Sequence, residues 1–138
     1  MNKTVVLLMA ALFLLAACRS KAVQENVTSI AVNGGSYYEV DAQQLSGMLE
    51  NKDFVLVNVH IPFEGNIPAT DLSIPYDQVE QHLGQLPADK DAKIFLYCRS
   101  DGMSHIAAAE LVSLGYTNVW HLAGGFVGWK QAGYAFEE

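Results

Sequence analysis

Apolar positions along this chain recur in three patterns, and each predicts a different element. Near-continuous short runs, "FVLVNVH" at 54–60 and "KIFLYC" at 93–98, suit strands buried on both faces. Three- and four-residue spacing marks helices: Leu45, Met48 and Leu49 behind an N-capping Asp41; Val79, Leu83 and Leu86 within 76–86; Ala107, Leu111 and Leu114 within 104–114, stopped by Gly115. Residues 27–32 and 36–40 read as short strands around "NGG", a hairpin turn. "NVWHL" is a last strand, and 126–132 a closing helix. Between 61 and 75 three prolines and a glycine leave mostly loop, with a short strand at most. Strands alternating with helices predict a single α/β domain over 37–134, with a mainly parallel central sheet and helices on both faces.

The third pattern lies at the start. Val5 to Ala17 is apolar and uncharged, too short to span a bilayer comfortably, and it follows Lys3 as the core of a secretory signal would. Its end, "LAAC", resembles the lipobox of bacterial lipoproteins. That resemblance implies a signal peptide over 1–17 and a lipid on Cys18. Residues 18–36 would then form a tether with a candidate extra strand. The expected location is the cell envelope, and Arg19 after the cysteine favours the periplasmic face of the outer membrane if the cell is Gram-negative.

Charge narrows the partners. The chain has 15 acidic residues against 8 Lys and Arg, a formal charge of −7. Removing residues 1–17 takes away only Lys3 among charged groups, leaving 121 residues at −8. Such a length buries roughly two-thirds of its unfolded surface. No basic cluster is present, so nucleic acid is not an expected partner. No Cys/His spacing suggests a metal site.

With Cys18 lipidated, Cys98 is the one remaining thiol and has no internal disulfide partner. It ends a strand, where ligands of open α/β sheets collect. The loop "RSDGM", Arg99 to Met103, leads directly to a helix N-terminus at Ser104, and Gly102 gives the backbone freedom to turn. Such a loop can aim several N–H groups inward, with the helix dipole behind them, and favour a thiolate. The plainer alternative is a buried strand-end cysteine beside a capping Ser104.

"LVNVHIPFEG", "IPYDQV" and "IFLYCRSDGMSHIAAAELVSLGYTNVWHLAGGFVGWKQAGY" together resemble a rhodanese (sulfurtransferase) domain over residues 37–134. The resemblance implies that Cys98 takes a sulfane sulfur as a persulfide and passes it on. The backbone from Arg99 through Ser100, Asp101, Gly102 and Met103 to Ser104 would hold that persulfide. It implies no metal and no cofactor; the partners would be a small sulfur donor or a protein persulfide, and a thiol acceptor. His60 and Asn66 are expected at the pocket rim.

Four positions depart from the family. Relatives often carry glycine at Asp101, arginine at Met103, and Asp-Val-Arg at Asn58-Val59-His60. Met103 removes a cation, His60 weakens another and Asp101 adds an opposing charge, so thiosulfate, a small dianion, is expected to be a poor donor. They also sustain an alternative, a non-catalytic binding or thiol-sensing module. A phosphatase would need a longer loop closed by arginine, which this chain lacks. His82 and His105 read as helix-surface residues, His121 as a packed or half-exposed strand residue, and Trp120 and Trp129 as packing residues.

Overall fold

The computed structural model describes residues 27–138; the expected signal peptide and Cys18 lie outside them. Strand β1 (Thr28–Val32) turns at Asn33-Gly34 into the antiparallel β2 (Gly35–Val40). Helix α1 (Ala42–Leu49), β3 (Val55–Asn58), a two-residue β4 (Leu72–Ser73), a 3₁₀ stretch (Glu80–Gln85) and β5 (Ile94–Tyr97) follow. Helix α2 (Gly102–Ser113), β6 (Val119–Leu122) and α3 (Gly125–Gln131) complete the domain. The sheet order is β1-β2-β6-β5-β3-β4, and every pairing except β1–β2 is parallel. The candidate extra strand is thus an edge of the central sheet. Among the described residues no helix is long and apolar enough to cross a membrane.

Alternation along each strand divides the core in two. Val57, Val59, Ile94, Leu96, Cys98 and Val119 pack with Ala107, Ala108 and Leu111 of α2. Leu56, Phe95, Tyr97 and Leu122 face α1 and α3 through Leu45, Phe126 and Trp129. Helices therefore cover both faces, which is why β5 reads as an unbroken apolar run. The cap expected at Asp41 forms reciprocally: Asp41 Oδ1 accepts the Gln44 N–H at 2.9 Å, and Gln44 Oε1 accepts the Asp41 N–H at 2.8 Å.

Two elements differ from the reading of the sequence. The helix expected over 76–86 shrinks to the 3₁₀ stretch, in which His82 leaves helical dihedrals (φ −110°, ψ 16°). Pro75 and Pro87 bound this segment and Gly84 interrupts it, leaving too few residues to offset helix nucleation. Helix α2 begins at Gly102 rather than Ser104, because the Asp101 carbonyl already accepts the His105 N–H at 3.1 Å. Ser104 is therefore inside the first turn and is not the cap.

Candidate active site

Cys98 follows β5 directly and is 2% exposed. Ser104, fully buried one turn into α2, places its Oγ 3.2 Å from the Cys98 Sγ and 3.1 Å from the Asp101 carbonyl oxygen. Bonding to that carbonyl makes the hydroxyl the donor there, so its lone pairs face the thiol in this arrangement; rotation would turn the O–H toward a thiolate instead. Among the described residues, none of the N–H groups from Arg99 to Ser104 donates to a protein acceptor. The last three open α2, where a helix leaves its first N–H groups unpaired. A buried cysteine followed directly by a loop of unpaired amides and a helix N-terminus is an arrangement suited to a sulfur anion.

The loop is fixed from below by α3. The Phe126 and Val127 N–H groups donate to the carbonyls of Cys98 and Arg99 at 2.9 and 3.0 Å. This approach needs Gly125 at φ +55°, since a Cβ there would lie 2.4 Å from the Cys98 oxygen and 2.6 Å from the Arg99 carbonyl carbon. The Gly124-Gly125 turn thus lets α3 clamp the cysteine loop.

The other sequence-predicted residues separate into groups. Arg99 is largely exposed and directs its Nε at Glu64 Oε2, 3.6 Å away. His60 is buried, pairs through Nε2 with the same Glu64 oxygen, and meets the Phe126 ring edge-on. Glu64, which sequence reasoning passed over, therefore joins the loop after β3 to the cysteine loop. Asn66 has partners of its own: its Oδ1 accepts from Asn58 Nδ2 at 3.1 Å and from the Tyr97 hydroxyl at 3.2 Å. Its backbone forms two bonds with Glu137. Met103 packs at the edge of the α2-side core, while Ser100 and Gly102 are exposed.

Asp101 has a different setting from the one its sequence position suggests. Its Oδ1 accepts the Gly124 N–H at 2.8 Å and lies 3.4 Å from His121 Nε2. The carboxylate is thus engaged by the β6–α3 turn. His121 is fully buried, not half-exposed, and burial above all, followed by the neighbouring His105, lowers its pKa to about 4. His105 is not a free surface residue either: its Nδ1 meets the Tyr37 hydroxyl, and its ring centroid stands 4.2 Å from that of His121. Tyr37 and Glu39 enter this cluster from β2. Only the β2–β6 register, which pairs Glu39 with His121, brings them there.

Fold and site together define a mainly parallel α/β domain with a buried cysteine at a strand end, followed by a short loop and a helix N-terminus. Comparison with known proteins makes this specific. The family model of the rhodanese-like domain matches residues 41–132. A sulfurtransferase of Allochromatium vinosum is 34% identical over 99 residues, which cover 69% of this chain and 90% of that protein. The chain belongs to the rhodanese-like domain family, and family membership with this relative supports sulfurtransferase activity at the family level. The tRNA uridine(34) hydroxylase of Erwinia tasmaniensis is 29% identical over 79% of this chain, but the chain spans only 33% of that protein. Among solved structures, the rhodanese-like domain of an Anabaena sp. protein superposes with a TM-score of 0.64 at 25% identity, covering 72% of this chain and 77% of that one. A rhodanese-related protein of Thermoplasma volcanium gives 0.61 at 25% identity, with 71% and 95% covered.

Proposed function

We propose that the protein is a sulfurtransferase in which Cys98 carries the transferred sulfur. The observation that carries this reading is the surroundings of the Cys98 Sγ: buried, 3.2 Å from Ser104 Oγ, under a loop whose amides have no protein acceptor among the described residues. In the first half-reaction the Cys98 thiolate attacks the outer sulfur of a donor R–S–S⁻ or R–S–SH. The sulfur–sulfur bond of the donor breaks, R–S⁻ leaves with the electron pair, and Cys98–S–S⁻ forms from R–S–S⁻ or Cys98–S–SH from R–S–SH. In the second, an acceptor nucleophile attacks the outer sulfur and the Cys98 thiolate returns. Each step is a displacement at sulfur, so no external oxidant or reductant enters. On this reading the outer sulfur of the persulfide is the atom that the unpaired Arg99–Ser104 amides would stabilise, as donors stabilise an oxyanion.

The family's usual cations are absent here. Met103 offers none, and Arg99 faces Glu64. A low-charge persulfide, small or protein-borne, therefore suits the loop better than a dianion. The non-catalytic alternative has no comparable support, because a binding module would not require an anion-ready environment around a buried thiol.

The experiment is steady-state sulfur transfer from a persulfide donor to cyanide, comparing the protein with Cys98→Ser. Loss of turnover in the variant is expected; equal turnover would refute the assignment. The reading includes an envelope location through lipid on Cys18. Two or more acyl chains, at about 0.8 kcal/mol per buried CH₂, would give stable attachment. A Cys18→Ser chain should leave the membrane fraction; full retention there would refute lipid anchoring.

A further inference from the structure

The geometry points to a divalent transition-metal site, best suited to Zn²⁺, built from Glu39 Oε2, Asp101 Oδ1, His105 Nε2 and His121 Nε2 beside the cysteine loop. These four residues offer ligand atoms that lie within 4.8 Å of one another. The separations are 3.2 Å for Glu39–His121, 3.4 Å for Asp101–His121 and 3.6 Å for Glu39–His105. Ligands at Zn–N and Zn–O distances of about 2.0–2.1 Å in a tetrahedron stand about 3.3–3.4 Å apart; these three of the six edges are already close to that spacing, and the other three lie within 4.8 Å.

A second observation is independent of the spacing. His121 is fully buried, and neither ring nitrogen has a hydrogen-bond partner among the described residues, although Nε2 points between two carboxylates. A neutral imidazole would there direct either a lone pair or a poorly placed N–H at two anions. A metal ion resolves both cases, taking the lone pair and balancing the carboxylates. No Lys or Arg pairs with Glu39 or Asp101 among the described residues, so their charges have no fixed counter-ion.

The surroundings match what metal-binding histidines require. The Tyr37 hydroxyl meets His105 Nδ1, and if it accepts that N–H the Nε2 lone pair is left facing the cluster. Gly124 donates to Asp101 Oδ1, fixing that carboxylate while leaving a lone pair free. The side chains of Glu39, His105 and Asp101 are partly exposed, which gives an ion a path in, while His121 closes the bottom. Two imidazoles exclude the all-oxygen preference of Ca²⁺ and Mg²⁺, and tetrahedral edges suit Zn²⁺ better than the tetragonal Cu²⁺. The residues come from positions 39, 101, 105 and 121, so no short motif announces the site. An ion here would neutralise the carboxylate carried by the cysteine loop and tie β2, β6 and α2 together.

The test uses the full chain bearing Cys18→Ser, stripped with chelator and titrated with Zn²⁺ against a chromophoric competitor. Co²⁺ substitution follows the ligand set by its visible spectrum. One equivalent should bind, with four-coordinate Co²⁺ bands lacking thiolate charge transfer and unchanged by Cys98→Ser. Glu39→Gln and His105→Gln, chosen because both side chains are partly exposed and their loss leaves no buried void, should each weaken binding at least tenfold while far-UV dichroism stays native. Failure to compete for Zn²⁺, a thiolate band lost with Cys98, or unchanged affinity in both variants would overturn the site.

Discussion

Replacing Gly125 with alanine should damage this domain more than an ordinary glycine substitution, and the local geometry sets the size of the effect. At φ +55° an L-residue pays roughly 1–2 kcal/mol for left-handed backbone. The new Cβ would also lie 2.4–2.6 Å from the backbone of Cys98 and Arg99, atoms that cannot rotate away. Relief requires α3 to retreat, which stretches the Phe126 and Val127 bonds to those carbonyls. Each such bond is worth about 1 kcal/mol net, more if the groups stay buried, giving a total near 3–5 kcal/mol. Gly133 is the control: its φ is +89°, but a Cβ there meets nothing, so only the backbone strain applies. Alanine's smaller unfolded-state entropy, about 0.4–1 kcal/mol, favours both variants and cancels in the comparison. Urea unfolding should place Gly125→Ala about 2–3 kcal/mol below Gly133→Ala, a midpoint difference of about 1 M or more for a slope near 2 kcal/mol/M. Equal midpoints would refute the idea that α3 clamps the cysteine loop by close backbone approach.

Thiosulfate should be a poor donor, and Met103→Arg should raise its kcat/KM about tenfold, equivalent to roughly 1.4 kcal/mol; no gain at fixed salt would contradict the charge argument. Asp101→Gly is the less informative partner, since it also removes the Gly124 contact. Asn58→Ala should cost about 2–3 kcal/mol in thermal or urea unfolding, because the buried amide holds the Gly65 carbonyl, Asn66 and the His60 N–H at once. Burial raises the Tyr97 phenol above 10.0, so the folded chain keeps that proton more tightly than the unfolded chain. Its contribution is full below about pH 10 and lost as pH rises above that, and Tyr97→Phe should flatten this alkaline slope.

Strand and helix order was readable because the runs at 54–60 and 93–98 have no alternation to confuse, and because Asp41 and Gly115 punctuate their helices. The segment at 76–86 misled, since apolar spacing records which side faces the core and not whether the backbone between two prolines can complete α turns. The position of Cys98 at a strand end followed from local pattern alone. The environment of Asp101 did not, because its partners arrive through sheet register: Glu39 opposite His121, and Gly124 beyond β6. Histidines 105 and 121 looked unrelated for the same reason. Glu64 was missed because a lone acid in a proline-rich loop carries no periodic signal.

Whether the transferred sulfur resides on Cys98 is decided most directly by peptide mass spectrometry. The full chain is exposed to a persulfide donor, freed of excess donor, alkylated and digested, and the peptides carrying Cys18 and Cys98 are weighed separately. One additional sulfur on the Cys98 peptide, removed by cyanide or reductant and absent from Cys98→Ser, is the predicted result. An unmodified Cys98 peptide from a preparation that nevertheless transfers sulfur would contradict the assignment.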